Sequence, residues 1–173
     1  MSSRREIREL ALQALYQYDA RGEADLSQIE RSVLDAPGPE AVKRQALEVA
    51  RGAWSTHADA DALTSEFSPE WPTHRQPPVD RSILRLGYYE IAHGLAPAAV
   101  IINEAVELAK AYGSERSPAF INGVLDKIAK RLHETGGGAV AGAGGEPEAQ
   151  RPEGKPPEDP WLRDAMNDSR PLS

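Results

Sequence analysis

Residues 100–132, VIINEAVELAKAYGSERSPAFINGVLDKIAKRL, place apolar side chains three and four positions apart on both sides of one short polar turn. A helix repeats every 3.6 residues and a strand every two, so this spacing commits the segment to a helical pair. In the first helix of the pair, Ile101, Ala105, Leu108, Ala109 and Tyr112 point inward, and Asn103, Glu107 and Lys110 point outward. Gly113 suits the left-handed position that closes a helix. Ser117 as N-cap and Pro118 at the first helical position start the second helix. Its apolar arc is Ile121, Val124, Leu125, Ile128 and Leu132, and Phe120 falls outside that arc with Gly123, Lys127 and Arg131. An aromatic off the core face is either a surface for a partner or a ring folded over a neighbouring helix.

The same period runs through the preceding chain, with no sustained alternation of strand type. The spacing predicts a first helix over about 3–20, with Ile7, Leu10, Ala11, Ala14, Leu15 and Tyr18 as its apolar stripe. A shorter helix over about 25–35 ends at Pro37, Gly38 and Pro39. A third is expected over about 40–64, burying Val42, Ala46, Val49, Ala50, Ala53 and Trp54. Pro69, Pro72, Pro77 and Pro78 surround Trp71, so 67–78 reads as a connector with at most one helical turn. A further helix over about 79–93 stops at Gly94 and Pro97, and carries Glu90 inside its apolar arc with Ile83, Leu86 and Gly87. A buried carboxylate needs hydrogen-bond donors, so Glu90 is expected to meet backbone N–H groups or a basic side chain. The fold class is all-α: six or seven helices in two small three-helix bundles sharing a core.

From residue 136 the apolar period stops, and 13 of 38 residues are Gly or Pro. Such a segment cannot bury enough surface to offset its ordering entropy. The domain is therefore expected over 1–135, followed by a disordered tail over 136–173. Within the tail, DPWLRDAM has an N-cap, a proline at the first helical position and Trp161, Leu162, Ala165 and Met166 at helical spacing. It reads as a short partner-binding helix or as an incidental apolar island.

Composition removes several function classes. The absence of cysteine excludes disulfides, thiolate zinc sites and cysteine nucleophiles. No apolar run is long enough to span a membrane, and the start MSSRREIREL lacks a secretory apolar stretch, which gives a cytoplasmic expectation. His57, His74, His93 and His133 show no metal-ligand spacing, and His57 reads as a satisfied core histidine. No active site, cofactor or metal is read. A net charge of −7 argues against a uniformly basic nucleic-acid binder, but Arg4, Arg5 and Arg8 cluster within five positions. Arg5, Arg8, Leu12 and Tyr16 share an arc beside the core stripe of the first helix. Arginines contact phosphate and a tyrosine ring stacks on an unpaired base, so this face is either a single-stranded RNA surface or a solvated basic first turn.

RREIRELALQALYQYD near the start, Trp71 ahead of PPVDRSILRLGYYEI, and INEAVELAKAYGSERSPAFINGVLDKIAK together resemble the NusB family of bacterial transcription antitermination factors. The resemblance covers most of residues 3–132, and INEAVELAK and FINGVLDK are its specific segments. It implies two three-helix subdomains and no enzyme activity. It further implies pairing with NusE, a small-subunit ribosomal protein, and binding of single-stranded boxA RNA in ribosomal RNA leader transcripts. The resulting complex acts on elongating RNA polymerase and suppresses premature termination. Carried over by position, Arg4, Arg5, Arg8 and Tyr16 form the RNA side with Glu115, Arg116 and Phe120; Lys127, on the helical arc of Phe120, is read on the same side. Glu104 and Tyr112 fall on the NusE side. Free helical proteins of this size also hide such surfaces in homodimers, and the chain is compatible with that state. The connector EWPTHRQPP has fewer apolar residues than the family's short helix there, and the tail lies outside the family core. A protein-binding adaptor without RNA specificity is the alternative, as is a stand-alone relative of the targeting domain of ribosomal RNA cytosine methyltransferases.

Overall fold

The computed structural model describes residues 3–22 and 25–136, and these form helices joined by short turns. The helices are α1 (Ser3–Arg21), α2 (Leu26–Leu34), α3 (Glu40–Ser55), α4 (His57–Phe67), α5 (Pro78–Ala92), α6 (Ala98–Tyr112) and α7 (Ser117–Glu134), with one 3-10 turn at Thr73–Arg75 in the connector. No strand occurs among the described residues, as the helical period requires. The expected tail, including DPWLRDAM, lies outside the described residues.

The single helix expected over 40–64 is instead two, α3 and α4, broken at Thr56. Side-chain bonds to the backbone explain the break. Ser55 Oγ and Thr56 Oγ1 both donate to the Gly52 carbonyl, at 2.7 and 3.1 Å, and His57 Nδ1 meets the Trp54 carbonyl at 2.5 Å. These contacts offer the backbone carbonyls partners other than the next helical N–H groups. The break lets His57 stack on Trp54 with ring centroids 4.2 Å apart, so His57 is half-buried at the start of α4.

α1, α2 and α3 pack together as one bundle, and α5, α6 and α7 as the second. α5 is the shared element: it also packs on α1, α3 and α4, and buries Ile83, Leu84, Leu86, Tyr88 and Ile91. A Cβ at Gly87 would come within 2.8 Å of Leu125 Cδ1, so α5 and α7 touch where α5 has no side chain. The apolar arcs read from the sequence for α1, α3 and α7 are largely the observed core; Leu10 and Trp54 are only half-buried. Leu12, placed by spacing beside the core stripe, is buried. Gly94 has φ +59, a left-handed backbone that turns the chain from α5 into α6.

Candidate RNA and partner interface

α1 and α6 face each other across a groove, each packed on α5. Arg5 Nη2 is 3.8 Å from the Glu104 carboxylate, and the Tyr112 hydroxyl lies near enough to the Glu9 carboxylate for that charge to raise its pKa. The two pairings ascend together along both helices, so α1 and α6 run in the same direction. Arg5, Glu9, Leu12 and Tyr16 fall within roughly 60° of one another on α1 at 100° per residue. Between the helices is a groove of about 260 Å³ lined by Arg5, Arg8, Glu9, Glu104, Glu107 and Lys110. Of the residues expected on the two sides, Arg5 and Glu104 face each other across it.

The three N-terminal arginines are not equivalent. Arg5 is exposed, but Arg4 and Arg8, expected on the RNA side, are 5% and 2% exposed and point inward in the free chain. Arg8 Nε donates to both Glu90 carboxylate oxygens, at 3.0 and 3.3 Å. The physical reason is Glu90, which points from the apolar arc of α5 toward α1 and takes a basic side chain as its donor, as expected from the sequence. Burial raises the Glu90 carboxyl above its ordinary value, against the lowering effects of Arg8 and Arg4.

Tyr112 is 47% exposed and not inward as the spacing of α6 predicted. It is the last residue of α6, where the helix ends before its neighbours can cover the ring. Burial and Glu9 both raise the Tyr112 hydroxyl pKa. Gly113 is also corrected: its backbone is extended, with φ −93 and ψ −170, and not left-handed. Glycine is needed there for space, because a Cβ would sit 2.6 Å from Ser117 Oγ. Ser117 is the first residue of α7 and not its N-cap; its buried Oγ accepts the Ser114 N–H at 2.9 Å and lies close enough to Asp80 to lower that carboxyl's pKa against the raising effect of burial. The Ser114–Ser117 bonds close the turn after α6 beside the start of α5.

Because α1 and α6 run parallel, the turn that follows Tyr112 lies toward the Tyr16 end of α1. Tyr16, Glu115 and Arg116 are all exposed. Phe120 is half-buried and packs against the core, between the two readings its spacing left open. Gly123 and Lys127 are exposed, and nothing lies within 4 Å of a Cβ added to Gly123. Arg131, on the same arc, pairs with Glu66 and lies 4.9 Å from the Phe67 ring centroid. The arc therefore turns toward α4, and Lys127 stands about 10 Å along α7 from Phe120. Arg5, Tyr16 and the 114–116 turn follow the α1–α6 line, whereas Lys127 is set apart from it.

A second charged cluster was not anticipated from the sequence. Arg85 Nη1 donates to Asp19 at 2.9 Å, and its Nε and Nη2 donate to the two Asp61 oxygens at 2.9 and 2.7 Å. Arg81 also pairs with Asp19 and donates to the Thr73 carbonyl at 3.2 Å. The Arg85 guanidinium lies 5.5 Å from the Trp54 ring centroid. The visible signal was two arginines four apart on a mostly apolar helix. The carboxylates come from α1 and α4, 62 or more and 24 positions away respectively. No group of acidic, histidine or cysteine side chains suited to a metal ion occurs among the described residues. No helix among them is long and apolar enough to cross a membrane.

Comparison with known proteins places this geometry. The NusB family model matches residues 5–130. Transcription antitermination protein NusB of Geobacter sulfurreducens is 44% identical over 140 residues, covering 79% of this chain and all of that protein. The structure of NusB from T. maritima is similar at a TM-score of 0.67 and 39% identity, covering 73% of this chain and 90% of that one. NusB in a crystal structure with NusE and double-stranded RNA is similar at a TM-score of 0.62 and 25% identity, covering 76% of this chain and 98% of that one. With a family match spanning most of the folded region and relatives similar over nearly their whole length, the chain belongs to the NusB family.

Proposed function

We propose that this protein is a transcription antitermination factor that binds boxA RNA of ribosomal RNA leader transcripts jointly with NusE, and so suppresses premature termination by RNA polymerase. Membership of the family and likeness to NusB in complex with NusE and RNA support the reading. The observation that carries it is the α1–α6 groove, where the exposed Arg5 faces Glu104 and Tyr112 meets Glu9. RNA along α1 and a protein partner along α6 would share one boundary. Arg5 and Arg116 supply phosphate contacts, Tyr16 and the edge of Phe120 supply stacking surface, and Glu115 accepts hydrogen bonds from base edges. Lys127 reaches phosphate only if the RNA continues along α7. Arg4 and Arg8 act from below, by holding α1 on α5. The protein works as a cytoplasmic binding factor without catalysis.

The test is a titration of boxA RNA and a scrambled RNA, each single-stranded and as a duplex, with and without NusE across salt concentrations. Preference for single-stranded boxA, increased by NusE, is the expected result. Affinity should fall by about 0.7 log units per phosphate neutralised for each tenfold rise in salt. Equal binding of boxA and scrambled RNA in every arm would leave only the protein-binding adaptor reading.

A further inference from the structure

The loosest ion pair in the groove joins the two surfaces. Arg5 and Glu104 approach to 3.8 Å, with side chains 48% and 23% exposed. The other groups around them have partners of their own. Arg8 is bound to Glu90 and Lys110 to Glu107 at 3.0 Å, and Glu9 stands near the Tyr112 hydroxyl. Glu104 is thus the carboxylate that holds Arg5, and Arg5 is the exposed member of the N-terminal arginine cluster. A guanidinium cannot keep a carboxylate at full strength while it contacts phosphate, and a carboxylate beside that phosphate repels it. A cationic side chain of a protein partner placed on Glu104 removes both obstacles.

We propose that the Arg5–Glu104 pair couples the two partners: in the free protein Glu104 restrains Arg5 from RNA, and engagement of Glu104 by a basic group of NusE releases it. This rests on the proposed function, with Arg5 on the RNA side and Glu104 on the NusE side. Coupling of binding free energies is reciprocal, so RNA held by Arg5 would equally leave Glu104 open to NusE.

The experiment is a double-mutant cycle in the full chain, reading boxA affinity without NusE and at saturating NusE. Glu104→Gln should tighten RNA binding by the protein alone by about two- to fivefold, the range of a half-exposed ion pair. In an Arg5→Ala background that gain should fall to the size of the Glu107→Gln effect. The enhancement given by NusE should shrink in Glu104→Gln by the same factor. Glu107→Gln is the control for simple removal of negative charge, and its effect should be the same with or without Arg5. Unchanged or weaker RNA binding by Glu104→Gln alone, or a gain that survives Arg5→Ala at full size, overturns the proposal. Arg5→Ala binding boxA as tightly as the parent with NusE present would overturn the placement of Arg5 itself, and the coupling with it. Unaltered melting temperature in Glu104→Gln verifies that folding is not the cause.

Discussion

α1 meets α5 through charge at both of its ends, and the two ends are built differently. Near its start, Arg8 and Glu90 form one pair inside the core, each side chain 2% exposed. Near its end, Asp19 is shared by Arg81 and Arg85, and Arg85 reaches on to Asp61, in a cluster open to water at its edge. In the first, desolvation is the larger effect on the carboxylate and its pKa is raised. In the second, burial also pushes the Asp19 carboxyl up, but hydrogen bonds from Arg81 and Arg85 outweigh it and hold the carboxyl below its ordinary 3.8. A charge network with several donors can reverse the cost of burial where a single pair does not. The first arrangement fixes α1 by making departure costly; the second joins α1, α4, α5 and the connector by shared bonds.

The largest effect is expected from breaking the buried pair. Glu90→Ala leaves the Arg8 guanidinium in the core without its carboxylate and should lower unfolding free energy by about 3–5 kcal/mol in urea titration. A loss below about 1 kcal/mol would show that Arg8 swings to solvent and that the N-terminal end is not anchored by charge. Arg85→Ala removes bonds to Asp19 and Asp61 and the contact with Trp54, but Arg81 still serves Asp19. A loss of about 1–3 kcal/mol is expected, smaller than for Glu90→Ala. The reverse order would mean that the open network is the stronger clasp.

Acid titration separates the two ends by sign. Asp19 has a lowered pKa, so the unfolded chain binds more protons at that site and its stabilisation is present above the ordinary 3.8. The stability gap between the parent and Asp19→Asn should therefore be full above about pH 4 and close as pH falls through the folded value. Glu90 has a raised pKa, so the folded chain binds more protons there above the ordinary 4.5. The gap between the parent and Glu90→Gln should narrow as pH rises from that value. Parallel slopes for the two variants, measured by melting temperature, would contradict the difference between the ends. The smallest stability effect belongs to Arg5→Ala, within about 0.5 kcal/mol, because its pair is half-exposed. Its effect should appear instead in RNA affinity, with a salt slope reduced by about 0.7.

Much of the architecture was legible in residue spacing. The arcs of α6 and α7 follow directly from residues 100–132, and Glu90 was identifiable as a buried carboxylate because its neighbours on the helical arc are apolar. Spacing failed where an end or a neighbour decides. Tyr112 lies on the inward angle of α6 but at its last turn, and Thr56 breaks a continuous apolar pattern through local side-chain bonds. Arg4, Arg5 and Arg8 looked alike as a basic cluster, but packing of α1 on α5 sends Arg4 and Arg8 inward and leaves Arg5 outside.

The sequence by itself determined the helical class, the family and the presence of an acid in the core, because periodicity and motif spacing are local properties of the chain. Only the tertiary structure decided which arginine reaches the surface and which carboxylate it meets. Arg5 and Glu104 are 99 positions apart, and the distance between such residues depends on how the helices pack.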